Sequence, residues 1–394
     1  LQMSEKHLLE GDVRYVPECS PFSVVDRVFS ACPELLLLNG RSVIELCARI
    51  MTNFNLTRKE DAQPPTEAEL RERRTTLDQL TTLMQDSNEH IKLCEKETVV
   101  QFCQQLTIAA YLEPVEELRV LSRTLIMVIF KATEHIDQAW SEIHRHIHNS
   151  NELPRFETTT LWIIAFIPRV VETEDAFTVT CVHRLIESSL VDTNLDTRRI
   201  TWSAFLAYTN TVKNEETIKK MSTIVPIAMK LTQRDESERG RREGGENFLD
   251  ISQVNPRVLQ PYLRTAVTYY CEIVNDAGDR IPADGWGQLL RAAHLYTREK
   301  AIRALARVCE RASGLVKQSS PSLVPDILTS CLLTMSELEE SEFGLVDWAV
   351  ADNIIEQRLS IKIIESAGET ALAEIVAALT GEVVAPFMLT LAGR

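Results

Sequence analysis

Apolar residues recur three and four positions apart along almost the whole of this chain, and no other feature constrains its fold as tightly. In residues 115–132, "VEELRVLSRTLIMVIFKA", Leu118, Leu121, Leu125 and Val128 fall on one stripe. In 196–210, "DTRRITWSAFLAYTN", Ile200, Ala204 and Ala207 do the same. In 298–312, "REKAIRALARVCERA", the stripe is Ile302, Leu305, Ala306 and Cys309. A helix turns once every 3.6 residues, so this spacing lays one apolar ridge along each segment. The alternation expected of a half-buried strand is nearly absent. Only "AFTVTCV" (176–182) has the β-branched content of a strand, and "CVHRLIESSL" continues it in helical phase. Glycine, which sheet proteins need at turns and bulges, numbers 13 in 394 residues, about half of average usage. An all-α fold is expected.

The helices come in pairs. Second helices are read to begin near Glu116, Arg155, Asp196, Gly244, Arg298 and Ser366, at intervals of 39, 41, 48, 54 and 68 residues. The first two intervals match the ~40 to 47 residues of HEAT and armadillo units. The longer ones read as the same unit carrying insertions, placed at about 233–247, 275–287 and 337–356. One helix pair cannot bury its apolar faces alone, so it must stack on neighbours. The expected architecture is a single HEAT-repeat α-solenoid over residues 1–394, a right-handed superhelix of antiparallel helix pairs. Asp196, at one helix start, is suited to capping free amides, and with Arg199 it could form a ladder between neighbouring repeats.

Such an array offers a long concave face that grips macromolecules and rarely encloses a catalytic pocket. The motifs agree. No G-x-x-x-x-G-K-[ST] loop, no G-x-G-x-x-G after a strand and no G-x-S-x-G occurs. His144 and His148 share a helical face around His146, but no glutamate and no third ligand accompany them, so a solvated face is the reading. No enzyme activity, cofactor or metal is expected. The formal net charge of −15 argues against a nucleic-acid backbone as partner, because that contact rests on Lys and Arg. It suits basic protein partners. The nine cysteines include no C-x-x-C pair and sit mostly in apolar helical context, as buried reduced thiols do. No apolar run approaches the ~20 residues of a membrane span, and no basic leader with an apolar core opens the chain.

One stretch is chemically distinctive. From Gln318 to Gln357 there is no Lys or Arg, and eight acids fall in that window. Glu337, Glu339, Glu340, Glu342, Asp347 and Asp352 are candidates for contact with a basic partner, with Trp348 as a packing or stacking anchor. The alternatives are a solvated linker or closure onto the chain's own Arg239, Arg241 and Arg242.

The order of these features resembles that of the karyopherin-β nuclear transport receptors, most closely the importin beta-3 type. The resemblance is carried by "FLDISQVNPRVLQPYLRTAV" (248–267), by 298–340 with its "SLVPDIL" helix entry, by the acids around Trp348, and by "GETALAEIVAALTGEVVAPFM" (368–388). Thr380 stands where the family pattern has glycine. The resemblance implies the N-terminal to middle part of a longer import receptor. Such a receptor binds cargo with basic localisation signals, Ran-GTP and Phe-Gly nucleoporins, and touches neither nucleic acid nor membrane. It would be a monomer that shuttles between cytoplasm and nucleus through the nuclear envelope pore. The rival expectation is a HEAT scaffold of the phosphatase-regulatory or trafficking-adaptor type, without Ran binding.

Overall fold

In the computed structural model, the described residues are 96–112, 115–132, 154–171, 175–234, 238–276, 285–318, 320–343 and 354–392, with scattered helical positions between 67 and 85. Every regular element among them is a helix. Backbone contacts divide the chain into two compact units, Leu1–Thr211 and Val212–Arg394.

The first unit contains α1 (Lys96–Leu112), α2 (Glu116–Ala132), α3 (Pro154–Phe166), α4 (Ala176–Leu190) and α5 (Leu195–Thr211). Helix α1 packs on α2, and α4 on α5, as hairpins, while α2, α3 and α5 lie side by side. The second unit contains α6 (Glu215–Ser222), α7 (Val225–Arg234), α8 (Glu238–Val254), α9 (Leu263–Asn275), α10 (Gly285–Arg311), α11 (Ser313–Gln318), α12 (Ser320–Phe343), α13 (Ile354–Leu379) and α14 (Gly381–Ala392). Its hairpins are α7 on α8, α9 on α10 and α12 on α13. Second helices α8, α10 and α13 form one layer, and first helices α9, α12 and α14 the other.

The apolar ridges are buried as their spacing requires. Ile302, Leu305, Ala306 and Cys309 are at most 1% exposed. Leu118, Leu125 and Val128 are buried, joined by Ile126 and Ile129, while Leu121 of the expected stripe is only half-buried. In α5 the ridge is displaced from the expected one: Trp202, Phe205 and Tyr208 carry the burial beside Ala204, while Ile200 and Ala207 are only half-buried. The segment with strand-like composition is helix α4, because Asp175 caps it. The Asp175 carboxylate accepts from the backbone N–H of Thr178 at 2.9 Å and of Phe177 at 3.4 Å, which fixes the first turn before β-branched preferences act. At the start of α5 the cap is Asn194, whose Oδ1 accepts from the Asp196 N–H at 2.8 Å. Asp196 pairs with Arg199 at 2.9 Å within the same helix, so the pair lies along one helix and not between repeats.

The repeat is more regular than the sequence suggests. Counted along the chain, the second helices begin at Glu116, Pro154, Leu195, Glu238 and Gly285, which are 38, 41, 43 and 47 residues apart. Only the last step, 69 residues to Ile354, is long. Gly244, Arg298 and Ser366 are not helix starts but lie inside helices of 17, 27 and 26 residues. Correspondingly, helix replaces much of the expected loops. It covers residues 238–247 and 285–287, and in the third insertion it covers 337–343 and 354–356. The Glu and Arg of "ERGRREGGEN" are good helix formers, and they outweigh three glycines at about 1 kcal/mol each. Phe248 and Leu249, both fully buried, anchor that helix. Arg298 reads as a polar helix start because of its charge, yet it is 2% exposed. Its Nε–H donates to the carbonyl of Val274 at 2.8 Å. It satisfies a C-terminal carbonyl of α9, where a cation meets the negative end of the helix dipole.

Cys103, Cys271, Cys309 and Cys331 are buried. Burial pushes the thiols of Cys309 and Cys331 up to about 12 and that of Cys271 to about 11. These are packing thiols, held in the inert form. Among the described residues, no helix is long and apolar enough to cross a membrane.

Candidate functional site: a charged groove across three second helices

In the second unit, α8, α10 and α13 bound a groove of about 630 Å³. Its floor is made of small residues. Ala306 on α10 and Ala367 and Ala371 on α13 are 1%, 9% and 2% exposed. Small side chains let the two helices approach closely, and the charged residues beside them are raised as a rim. On α10 the rim is Glu299, Arg303 and Arg307, at successive four-residue steps. On α13 it is Ser366, Thr370 and Glu374, at the same spacing, and Gln253 closes the end from α8. Residues four apart share a helix face, so each helix presents a straight row of polar groups.

The rows are internally tethered. Arg303 Nη2 donates to Glu299 Oε1 at 2.6 Å, and Arg307 pairs with Glu310. Glu310 first, and Glu374 across the groove more weakly, favour the charged form of the Arg307 guanidinium. Arg303 and Arg307 remain 67% and 44% exposed at their side chains. An exposed intrahelical pair contributes only ~0.3 to 0.5 kcal/mol, so either arginine can exchange its partner for an incoming carboxylate at little cost. The unpaired side of Glu374 can in turn receive a cation. The groove therefore carries both signs of charge. Below it, Lys300 on α10 holds Asp250 on α8 at 2.7 Å, which fixes the spacing of the two helices. Desolvation raises the Asp250 carboxyl above its usual range despite the lysine.

The site expected from the sequence lies elsewhere on the chain. Glu337, Glu339, Glu340 and Glu342 fall in the last turns of α12. Their side chains, and Asp347, Trp348 and Asp352 entirely, lie outside the described residues, as do those of Arg239, Arg241 and Arg242 and residues His144, His146 and His148. The groove residues Glu299, Arg303, Arg307 and Glu374 went unread because they look like the solvated face of an amphipathic helix. The available signal was their four-residue spacing opposite an alanine-rich stripe. Among the described residues no cluster of His, Cys, Asp and Glu is arranged to hold a metal ion.

Comparison with known proteins fixes the architecture. No family profile and no curated protein matches the sequence. Solved structures do. Kap121p bound to Nup53p superposes with a TM-score of 0.62 at 14% identity, over 93% of this chain and 33% of that one. Kap121p bound to the SUMO protease Ulp1p gives 0.61 at 13%, over 99% of this chain and 34% of that one. Kap121p bound to RanGTP gives 0.57 at 13%, again over 99% and 34%. The fold is an all-α helical solenoid similar to that of those structures. This chain spans about a third of the length of those karyopherins, and across that third its stacked hairpins are HEAT-repeat in kind, as the periodicity requires.

Proposed function

We propose that this chain is part of a nuclear transport receptor of the karyopherin-β superfamily, of the importin beta-3 type. It takes up cargo carrying basic localisation signals and releases it when Ran-GTP binds. Phe-Gly nucleoporins and passage between cytoplasm and nucleus belong to the same reading, as does one continuous solenoid over residues 1–394. The observation that carries it is the match of nearly the whole chain to a karyopherin fold solved with RanGTP, with a nucleoporin and with the SUMO protease Ulp1p. The same order of passages in the sequence supports it: 248–267, 298–340 and 368–388.

Within this reading the groove on α8, α10 and α13 receives an extended segment of a partner. Its alternating Glu299, Arg303, Arg307 and Glu374 pair with charges of either sign and hold a peptide in register along the rows. The acids Glu337, Glu339, Glu340, Glu342, Asp347 and Asp352, with Trp348, form a second contact for a basic partner. A mechanism that couples cargo release to Ran-GTP requires two sites on one deformable array, and a stack of hairpins that touch only their neighbours supplies that deformability.

The test is retention of Ran on the immobilised chain. Selective retention of the GTP-loaded form over the GDP-loaded form is expected. Equal retention of both, or of neither, overturns the transport reading and leaves a HEAT scaffold.

A further inference from the structure

The groove of α8, α10 and α13 has two unlike walls. On the α13 wall Ser366 and Thr370 are neutral, and Thr370 turns its hydroxyl back to the Ser366 carbonyl at 2.7 Å. Glu374 adds one charge at the end of that row. On the α10 wall, exposure decides what a ligand meets first. The Glu299 side chain is 17% exposed, and Arg303, which it tethers, is 67% exposed. Glu310, which tethers Arg307, does not line the groove. The accessible surface of the α10 wall is therefore two guanidiniums, in a chain whose formal net charge is −15.

The tethers also hold the two cations apart. Arg303 is drawn towards the helix N-terminus by Glu299, four residues back, and Arg307 towards the C-terminus by Glu310, three residues on. Guanidiniums pulled in opposite directions do not converge on one anion. They present two anion positions, spaced by the about 6 Å that four helical residues rise. Each tether uses one terminal nitrogen. A guanidinium carries five N–H donors in a fixed fork, so each keeps a free edge for a second carboxylate. In an extended chain, side chains on one face recur every second residue, at about 6.6 Å. That repeat fits the arginine row. Successive residues point to opposite faces, so the residue between two such acids turns to the α13 wall beside Thr370. Two adjacent acids would instead send one carboxylate to each wall.

We propose that this groove selects an extended partner segment with carboxylates on alternate residues, one held by Arg303 and one by Arg307, and a small or polar residue between them beside Thr370. The proposal rests on the reading above that the groove receives an extended segment, and it names that segment as acidic, distinct from any basic signal. The floor of Ala306, Ala367 and Ala371 leaves room for the peptide backbone. The acidity of the rest of the chain sharpens the choice. It repels acidic segments in general, so only one that meets both guanidiniums is retained.

The test uses the full chain and three fluorescent serine-rich peptides of equal length, followed by anisotropy at low salt. One has two glutamates on either side of a serine, the second has the two glutamates adjacent, and the third has lysines in place of the alternating glutamates. The alternating glutamate peptide is expected to bind about five-fold tighter than the adjacent one, the upper range of one exposed ion pair. Equal affinity overturns the register. Arg303→Gln and Arg307→Gln, both at exposed positions where the fold is not at stake, should each weaken the alternating peptide about five-fold and remove its advantage. Arg264→Gln takes an exposed cation from α9 in the other layer and should change binding less than two-fold. A loss as large as that of the groove variants would mean that overall charge governs binding, and overturns the site. The lysine peptide tells the two levels of the reading apart. If Glu374→Gln weakens it while the glutamate peptide is indifferent to both arginines, the groove is in use and the acidic segment is overturned. If no peptide responds to Arg303, Arg307 or Glu374, the groove itself falls, and this proposal with it. Ran retention is a separate measurement, so a failed transport reading is not mistaken for a failed register.

Discussion

Two helix joints in this molecule solve the same problem by opposite means. Where α1 meets α3, polar groups are interlocked. Tyr111 Oη and Thr160 Oγ1 lie 3.0 Å apart, and Thr159 Oγ1 donates to the Ala110 carbonyl at 3.2 Å. All of these residues except Ala110's backbone contribute side chains that are fully buried. Beside them, Arg123 is 4% exposed, donates to Glu116 Oε1 at 2.9 Å and lies 5.8 Å from the Trp162 ring centroid. Where α12 meets α13, the joint works by leaving a side chain out. A Cβ on Gly368 would stand 2.6 Å from Thr334 Oγ1 and 3.3 Å from the Cys331 carbonyl. The first joint is specified by partners that must be present, the second by an atom that must be absent. The first should tolerate shape-conserving changes at the cost of a hydrogen bond, and the second should tolerate almost no added volume.

The largest expected effect is at the second joint. Thr334 cannot simply turn aside, because its hydroxyl donates to the Cys331 carbonyl at 2.7 Å. Gly368→Ala gains about 1 kcal/mol of helix propensity, yet we expect it to destabilise, since overpacking a close joint costs about 1 to 3 kcal/mol. Gly368→Val should cost about 3 kcal/mol by the same argument. Urea denaturation measures both. A Gly368→Ala chain as stable as wild type, or more so, would mean that the helices slide apart freely, and the contrast between the joints would fail.

At the first joint the matching change is Tyr111→Phe. It keeps the ring and removes the hydroxyl near Thr160. The expected loss is about 1 kcal/mol, the net value of a buried hydrogen bond. Thr160→Val should lose a similar amount. Combining the two should cost less than their sum, because each single change strands the other's oxygen. Strict additivity in that cycle would show that the two hydroxyls do not act as a pair.

These joints also mark what a single sequence can and cannot disclose. The ridge Ile302, Leu305, Ala306 and Cys309 is legible because burial follows helical period, and nothing outside the segment is needed to see it. The Tyr111–Thr160 pair is not legible, since it depends on the register of helices 49 residues apart. Nothing near Gly368 in the sequence accounts for a glycine inside a helix, and only the approach of Thr334 explains it. Arg298 misleads for a related reason: its charge marks a surface, while its use is to close the end of another helix. The groove on α10 and α13 stayed hidden because its charged rows resemble ordinary solvated faces. The acidic stretch was the opposite case, conspicuous in sequence, with its side chains outside the described residues.

The smallest expected effect concerns a position where the second unit omits the glycine that its geometry favours. Thr380, between α13 and α14, has φ of 68°, and its carbonyl accepts from the N–H groups of Val383 and Val384 at 3.2 Å while its own N–H donates to Val376. A β-branched residue in the left-handed region pays roughly 1 to 2 kcal/mol, which glycine avoids. Glycine also enlarges the freedom of the unfolded chain, at about 0.4 to 1 kcal/mol. The two terms oppose each other, so Thr380→Gly should raise stability by only about 0.5 kcal/mol. Thr380→Ala separates them. It relieves β-branching without adding glycine's freedom, and it should fall between threonine and glycine if left-handed strain dominates. A ranking with glycine least stable would show that the backbone at this joint relaxes in solution, and that the second unit needs its missing side chain at Gly368 alone.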